Sequence, residues 1–219
     1  MVVRKISSTT DLTKTMSLQK SRFTEMLIEK NALDQNGFES WIFCQGMLFN
    51  SPDKWWGDHG RRDFPHEGID LCLYRDRSRR IGRIDEKTQI PLLQDGVIKA
   101  IFKDYLGHAL IVEHEKSARN TAGLISFYAH TEPRSSMDVG RKVKKGEIIA
   151  TLAGTSNSKA NILPHLHFSL GYPLQTFSYD GFVWNSIRNP DFIRLLDPLP
   201  VIDWPYQALD AGDSTCSEI

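Results

Sequence analysis

Cysteine, surplus charge and long apolar runs are all scarce in this sequence, and each shortage removes a class of answer. Only three cysteines occur in 219 residues, Cys44, Cys72 and Cys216, far apart and in no CxxC pair. That excludes a disulfide-dense scaffold and a cysteine-rich zinc module, while a single bridge between two of them stays possible. Lysine plus arginine number 27, as do aspartate plus glutamate. With no net charge, the chain lacks a general electrostatic footprint for nucleic acid or an anionic membrane. The longest stretch free of Asp, Glu, Lys and Arg, Ala160 to Tyr179, holds two prolines, two histidines and several amides and hydroxyls. It would insert poorly, so no integral membrane segment is expected. Residues 1–16 are polar and contain no apolar signal-peptide core. A hydrophobic content of 40% with 25% charged residues suits a folded domain rather than a disordered chain.

What is present is a coarse pattern of one helix followed by many strands. From about Leu18 to Leu33, Phe23, Met26, Leu27 and Leu33 recur at roughly helical spacing, and Gly37 breaks the pattern. Residues 38–50 are aromatic-rich and read as extended, leading into a loop dense in turn formers, SPDKWWGDHGRRDFP. From Ile69 onward, IDLCLY, QIPLLQ, GVIKAIF, HALIVEH, LISFYAH, EIIATLAG and HLHFSL are strand-length apolar runs. Their spacing predicts an all-β sandwich or barrel. A short helix is expected at Pro190–Leu196, with Asn189 as its cap and Pro190 at its first position. The last ten residues read as a solvated tail.

Seven histidines stand out. In HLHF, His165 and His167 project from one face of a strand about 7 Å apart, which suits one ligand and one neighbouring acid/base group. They equally suit a polar strand face. In HEGID, His66 is expected on a loop and Asp70 at a strand start, where a carboxylate between Ile69 and Leu71 calls for a partner. His130 ends the strand LISFYAH. Together, two imidazoles and a carboxylate (His66, Asp70, His167) form a three-ligand set for a catalytic Zn²⁺ with an open fourth position. His165 and His130 are then left for proton transfer and oxyanion stabilisation. His59 is expected to be exposed, and His108 and His114 to end the strand ALIVE. Trp55 and Trp56 fit either a stacking rim or the core. Arg61 and Arg62 fit either a substrate carboxylate or solvent.

In this order, HEGID, the YAH strand end, the GxxVKKGEIIATLAGTS run and PHLHF resemble the zinc peptidases of the lysostaphin/LytM type, peptidase family M23. The resemblance covers roughly residues 46–172. It implies a mainly β fold, an antiparallel β-sandwich or barrel-sandwich hybrid with a groove, and the N-terminal α-helix and short C-terminal helix read from the residues lie outside that shared core. It also implies one zinc per chain and hydrolysis of peptide bonds in bacterial cell-wall peptidoglycan. By match, His66, Asp70 and His167 correspond to the metal ligands, and His130 and His165 to the catalytic histidines. Two departures bear on the groove. The approach SNSKANILPHLHF is long, and Ser169 stands where an acidic residue often follows HLHF.

The expected organisation is an extension at 1–45, a peptidase core at 46–175, and a C-terminal extension and tail at 176–219. Either extension is placed to wall or occlude the groove, and Asn50 or Asp58 to reach the metal's open position. An occluded groove would give the second reading, a non-catalytic peptidoglycan-binding or amidase-regulating module. A carrier-type hybrid motif, the third, lacks a lysine at a hairpin tip. The expected location is the cell envelope, periplasmic or secreted, if a leader has been removed, and the cytoplasm if the sequence is complete.

Overall fold

The computed structural model describes residues 21–115, 123–156, 158–210 and 213–217. Helix α1 spans Phe23–Lys30 and is followed by strand β1, Phe38–Cys44. Next come β2 Ile69–Leu71, β3 Leu73–Asp76, β4 Ile81–Arg83, β5 Gln89–Pro91, β6 Gly96–Lys103, β7 His108–His114 and β8 Ile125–Pro133. Then follow β9 Lys142–Val143, β10 Ile148–Leu152, β11 Leu166–Pro173, α2 Trp184–Ile187, β12 Ile193–Leu196, β13 Tyr206–Leu209 and α3 Ser214–Ser217. The fold is mainly β, as expected.

Two sheets carry the architecture. A four-stranded sheet runs β13-β1-β3-β4, and a nine-stranded one has the path β12-β11-β8-β7-β6-β9, with β10 joining β8 to β5 and β2 lying on β11. The run IDLCLY is not one strand. β2 pairs with β11 in the large sheet, β3 pairs with β1 in the small sheet, and Cys72 sits at the crossing between them. Period-2 alternation sends β7 and β8 side chains to opposite faces. Leu110, Val112 and Tyr128 enter the main core, whereas Ile111, Ile125 and Phe127 enter a second cluster closed by Phe182, Ile187 and Ile193. The segment after Leu174 therefore covers a sheet face that would otherwise expose a broad apolar patch.

Helix α1 packs on the main-core side. Phe23, Met26 and Leu27, spaced i, i+3 and i+4, are buried, and the Phe23 ring stacks on Phe168 at 4.9 Å. The helix stops before Asn31, whose side chain donates to the Gln89 carbonyl and accepts from the Gln89 amide, tying the end to β5. The expected first turn at residues 18–20 lies outside the described residues.

Two expectations fail. Pro190–Leu196 is not a helix. The Asn189 carbonyl accepts from the amides of Phe192 and Ile193 in a turn, and Ile193–Leu196 then forms β12 against β11. An open β11 edge and alternating Ile193 and Leu195 outweigh the local cap signal. The short helix of this region is α2, a few residues earlier. Nor are the described residues among the last ten, 210 and 213–217, a free tail. β13 runs parallel to β1, and Cys216 is buried in a disulfide with Cys44, 172 residues away in sequence. Among the described residues, no helix is long and apolar enough to cross a membrane.

Candidate metal centre

Strand register brings the site together. In the β2–β11 ladder Asp70 lies opposite His167, and in the β11–β8 ladder His167 lies opposite Ala129, next to His130. Residues directly opposed across an antiparallel ladder share a face. β2 can lie this close to β11 because position 68 is glycine. A Cβ there would sit 2.3 Å from the Phe168 carbonyl oxygen. His66 is set by its loop, with its amide on the Ser51 carbonyl and its own carbonyl accepting from Asn50.

Three buried atoms converge. His66 Nε2, Asp70 Oδ1 and His167 Nδ1 are separated by 3.1, 3.0 and 3.0 Å. His66 Nδ1 lies 3.0 Å from the Leu48 carbonyl. That oxygen only accepts, so Nδ1 carries the proton and Nε2 presents a lone pair. His167 Nε2 is 2.8 Å from Ser169 Oγ, a contact that fixes its ring with Nδ1 facing inward. With the His167 proton on Nε2, donated to Ser169 Oγ, two imidazole lone pairs and an acceptor-only carboxylate oxygen aim at one point, an arrangement that a cation relieves. Tetrahedral zinc with ligands at about 2.0–2.1 Å has donor edges of about 3.3 Å. The three donors fit such an ion.

The surroundings match this reading. Asp70 is fully buried and its other oxygen, Oδ2, accepts from Trp55 Nε1 at 2.7 Å. Burial alone would raise its pKa, but the His66, His165 and His167 rings outweigh burial and hold the carboxyl well below its ordinary value. His165 donates from Nδ1 to the Leu163 carbonyl. Its Nε2 is 3.9 Å from Asp70 Oδ1, and burial pushes its pKa down to about 3. The His130 and His165 rings lie 4.8 Å apart. His130 adopts φ +62°, a left-handed conformation that costs energy in a non-glycine residue. Its amide donates to Asp104 Oδ2 at 2.7 Å, and its Nδ1 is 3.3 Å from the same oxygen. Burial works against the Asp104 carboxylate, but His130 and the Gly107 amide hold its pKa below the usual range.

Asp70, His130, His165 and His167 open onto a cavity of about 520 Å³. Trp184 of α2 forms one wall, with its ring 5.0 Å from that of His167 and 6.2 Å from that of His130. Trp184 Nε1 donates to Glu67 Oε1, and Arg188 Nε pairs with the same oxygen. Burial disfavours the Glu67 carboxylate, but His167 and Arg188 together lower its pKa nonetheless. The N-terminal helix does not line this cavity.

Five of the residues singled out for the site are in it: His66, Asp70 and His167 as a cluster, His130 and His165 beside them. Asn50 and Asp58 are not; Asp58 is an exposed partner of Lys54 and Gly60. Trp55 is core, Trp56 borders the cavity, and Arg62 stacks on Trp56 at 4.4 Å. Arg61 pairs with Asp53 at the surface, His59 is exposed, and His108 and His114 end β7. Asp104, Glu67, Trp184 and Arg188 were not foreseen. Asp104 had one visible signal, the D-x-x-G turn whose Leu106 and Gly107 amides it accepts. That signal says nothing about His130.

Among solved structures the chain is similar to the antimicrobial peptidase lysostaphin from Staphylococcus simulans. The two are 22% identical, with 62% of this chain and 42% of that one covered at a TM-score of 0.38. It is also similar to a zinc-containing peptidase from Vibrio cholerae, with 22% identity, 61% and 36% coverage and a TM-score of 0.38. A third is a putative glycyl-glycine endopeptidase LytM from Ruminococcus gnavus, with 15% identity, 65% and 50% coverage and a TM-score of 0.39. The chain spans half or less of each of these relatives. No curated protein sequence matches it. The description "Peptidase family M23" matches residues 65–177, just over half of the sequence and the stretch that holds all five converging histidine and aspartate positions. On that match, the chain belongs to peptidase family M23.

Proposed function

We propose that this chain is a zinc-dependent endopeptidase that hydrolyses peptide bonds of bacterial cell-wall peptidoglycan. The observation that carries the reading is the convergence of three lone-pair donors, His66 Nε2, Asp70 Oδ1 and His167 Nδ1, at the edge of a cavity flanked by two further histidines. Zinc held there supplies Lewis-acid polarisation of a carbonyl and lowers the pKa of a water enough for attack near neutral pH. His165, neutral because of its burial, offers a free Nε2 to take and return a proton. His130, oriented by Asp104, faces the same space and stabilises the oxyanion that develops on the substrate. Trp184 limits water access from the side of α2.

Residues 46–175 are the catalytic core in this reading, with extensions at 1–45 and 176–219. The Cys44–Cys216 bridge supports assembly in an oxidising compartment, consistent with the cell envelope. Purified protein is expected to hold about one zinc per chain, and His167→Ala to lose both the metal and hydrolysis of peptidoglycan fragments. Native protein that contains no zinc, and that stays inactive when zinc is added, would refute the proposal.

A further inference from the structure

The cavity holds three cationic side chains, Arg62, Lys103 and Arg188, and three carboxylates, Glu67, Asp70 and Asp104. With neutral histidines these cancel. A divalent cation on His66, Asp70 and His167 leaves a surplus of two positive charges in a recess whose walls strengthen the field. The loaded site therefore favours an anionic ligand.

The two arginines are built in rather than solvated. Arg62 is 14% exposed. Its Nε donates to the Asp53 carbonyl at 3.0 Å and its Nη2 to the Gly46 carbonyl at 2.9 Å. Both acceptors are uncharged, so these bonds fix the guanidinium without neutralising it. The nearest carboxylate oxygen, Asp70 Oδ2, is 3.6 Å away and belongs to a group already committed to the metal cluster. Arg188 is held by Glu67 and by Asn185, and lies over the Phe64 ring at 4.7 Å. Among the described residues, no acceptor meets Arg62 Nη1 or Arg188 Nη2.

We propose that Arg62 and Arg188 together receive a carboxylate of the substrate, so that the enzyme selects peptides carrying a free carboxylate beside the scissile amide over uncharged glycine-type peptides. The inference rests on the peptidase reading above and specifies its substrate class. Both arginines lie outside residues 65–177, so this selectivity comes from the flanking segments rather than from the matched core. Guanidinium forks suit a planar carboxylate through charge-assisted, bidentate bonds. The carboxylate has two sources in a peptide, the C-terminus or a diacid side chain.

The test uses the zinc-loaded full chain and one cross-linked D-amino-acid peptide in four forms: both carboxylates free, C-terminus amidated, side chain amidated, and both amidated. N-acetylated, C-amidated pentaglycine serves as the uncharged probe. Calorimetric Kd and kcat/KM are measured for each. The doubly amidated form and pentaglycine are expected to bind at least about tenfold more weakly than the free form. One single amide should reproduce most of that loss and identify the carboxylate. Arg188→Gln and Arg62→Lys should narrow the difference between free and amidated forms, through KM more than kcat. Equal binding of free and amidated forms by the unmodified enzyme, or binding of none, overturns the inference even if peptides are cleaved. A tenfold preference in binding without cleavage of any probe supports the inference and instead refutes the peptidase reading. Should either variant fail to fold, the four-peptide comparison with unmodified enzyme still decides.

Discussion

The three donors of the cluster are aimed by uncharged neighbours: a carbonyl at Leu48, a hydroxyl at Ser169 and an indole at Trp55. Such partners orient a ligand without competing for its charge. Ser169, the position that departs from the family's usual acidic residue, still meets His167. A different buried histidine gives a pH dependence free of the metal. His114 lies between Ser126 Oγ and the Asp95 carbonyl, and burial lowers its pKa below the ordinary 6.5. In the interval below about 6.5 the unfolded chain binds more protons than the folded one, so stability falls as pH falls. Denaturation midpoints between pH 7.5 and 5 should decline, and decline less in His114→Gln; parallel curves would contradict this. The converging histidines His66 and His167 were legible as candidates because strand alternation and the HEGID spacing are local patterns. Glu67 and Trp184 were not, because their meeting depends on a contact 117 residues apart in sequence.

Strands were read more reliably than their sheet membership. The run IDLCLY reads as continuous, yet it changes sheets at Cys72, a decision made by the separate partners β11 and β1. Helix α1 was legible from its apolar stripe, whereas the Asn-Pro signal at 189–190 led to a turn because β11 had an open edge to fill. Gly68 sets the approach of β2 to β11, and its meaning is invisible until Phe168 is known to lie beneath it. Gly68→Ala should cost about 1–3 kcal/mol of stability through overpacking, and should weaken zinc retention by separating Asp70 from His167. Unchanged melting and full zinc content would show that the backbone yields without cost.

At the scale of the molecule, the two segments flanking the family match close the structure. The second apolar cluster, the Trp184 wall and the small sheet all draw on residues after 177. Phe23, Trp41 and Cys44 are buried in the same main core as Phe168, so removing 1–45 would expose that core rather than merely uncover a groove. The Cys44–Cys216 bridge closes a loop spanning most of the chain. Its reduction should cost about 2–5 kcal/mol, read as a lower denaturant midpoint with reductant that Cys44→Ser/Cys216→Ser reproduces without it. Identical midpoints would show that β13 pairing alone secures the strap.

Strand β1 finds its parallel neighbour only in residues 206–209, after every strand of the large sheet. A chain emerging in order must hold Trp41 and Phe43 without that neighbour until nearly every other strand has appeared. Such long-range pairing is slow to form, and the wall formed by Trp184 also arrives late. Completion of the small sheet and completion of the cavity therefore both wait on residues after 177, so the candidate site closes only once the strands that carry its histidines have all been made.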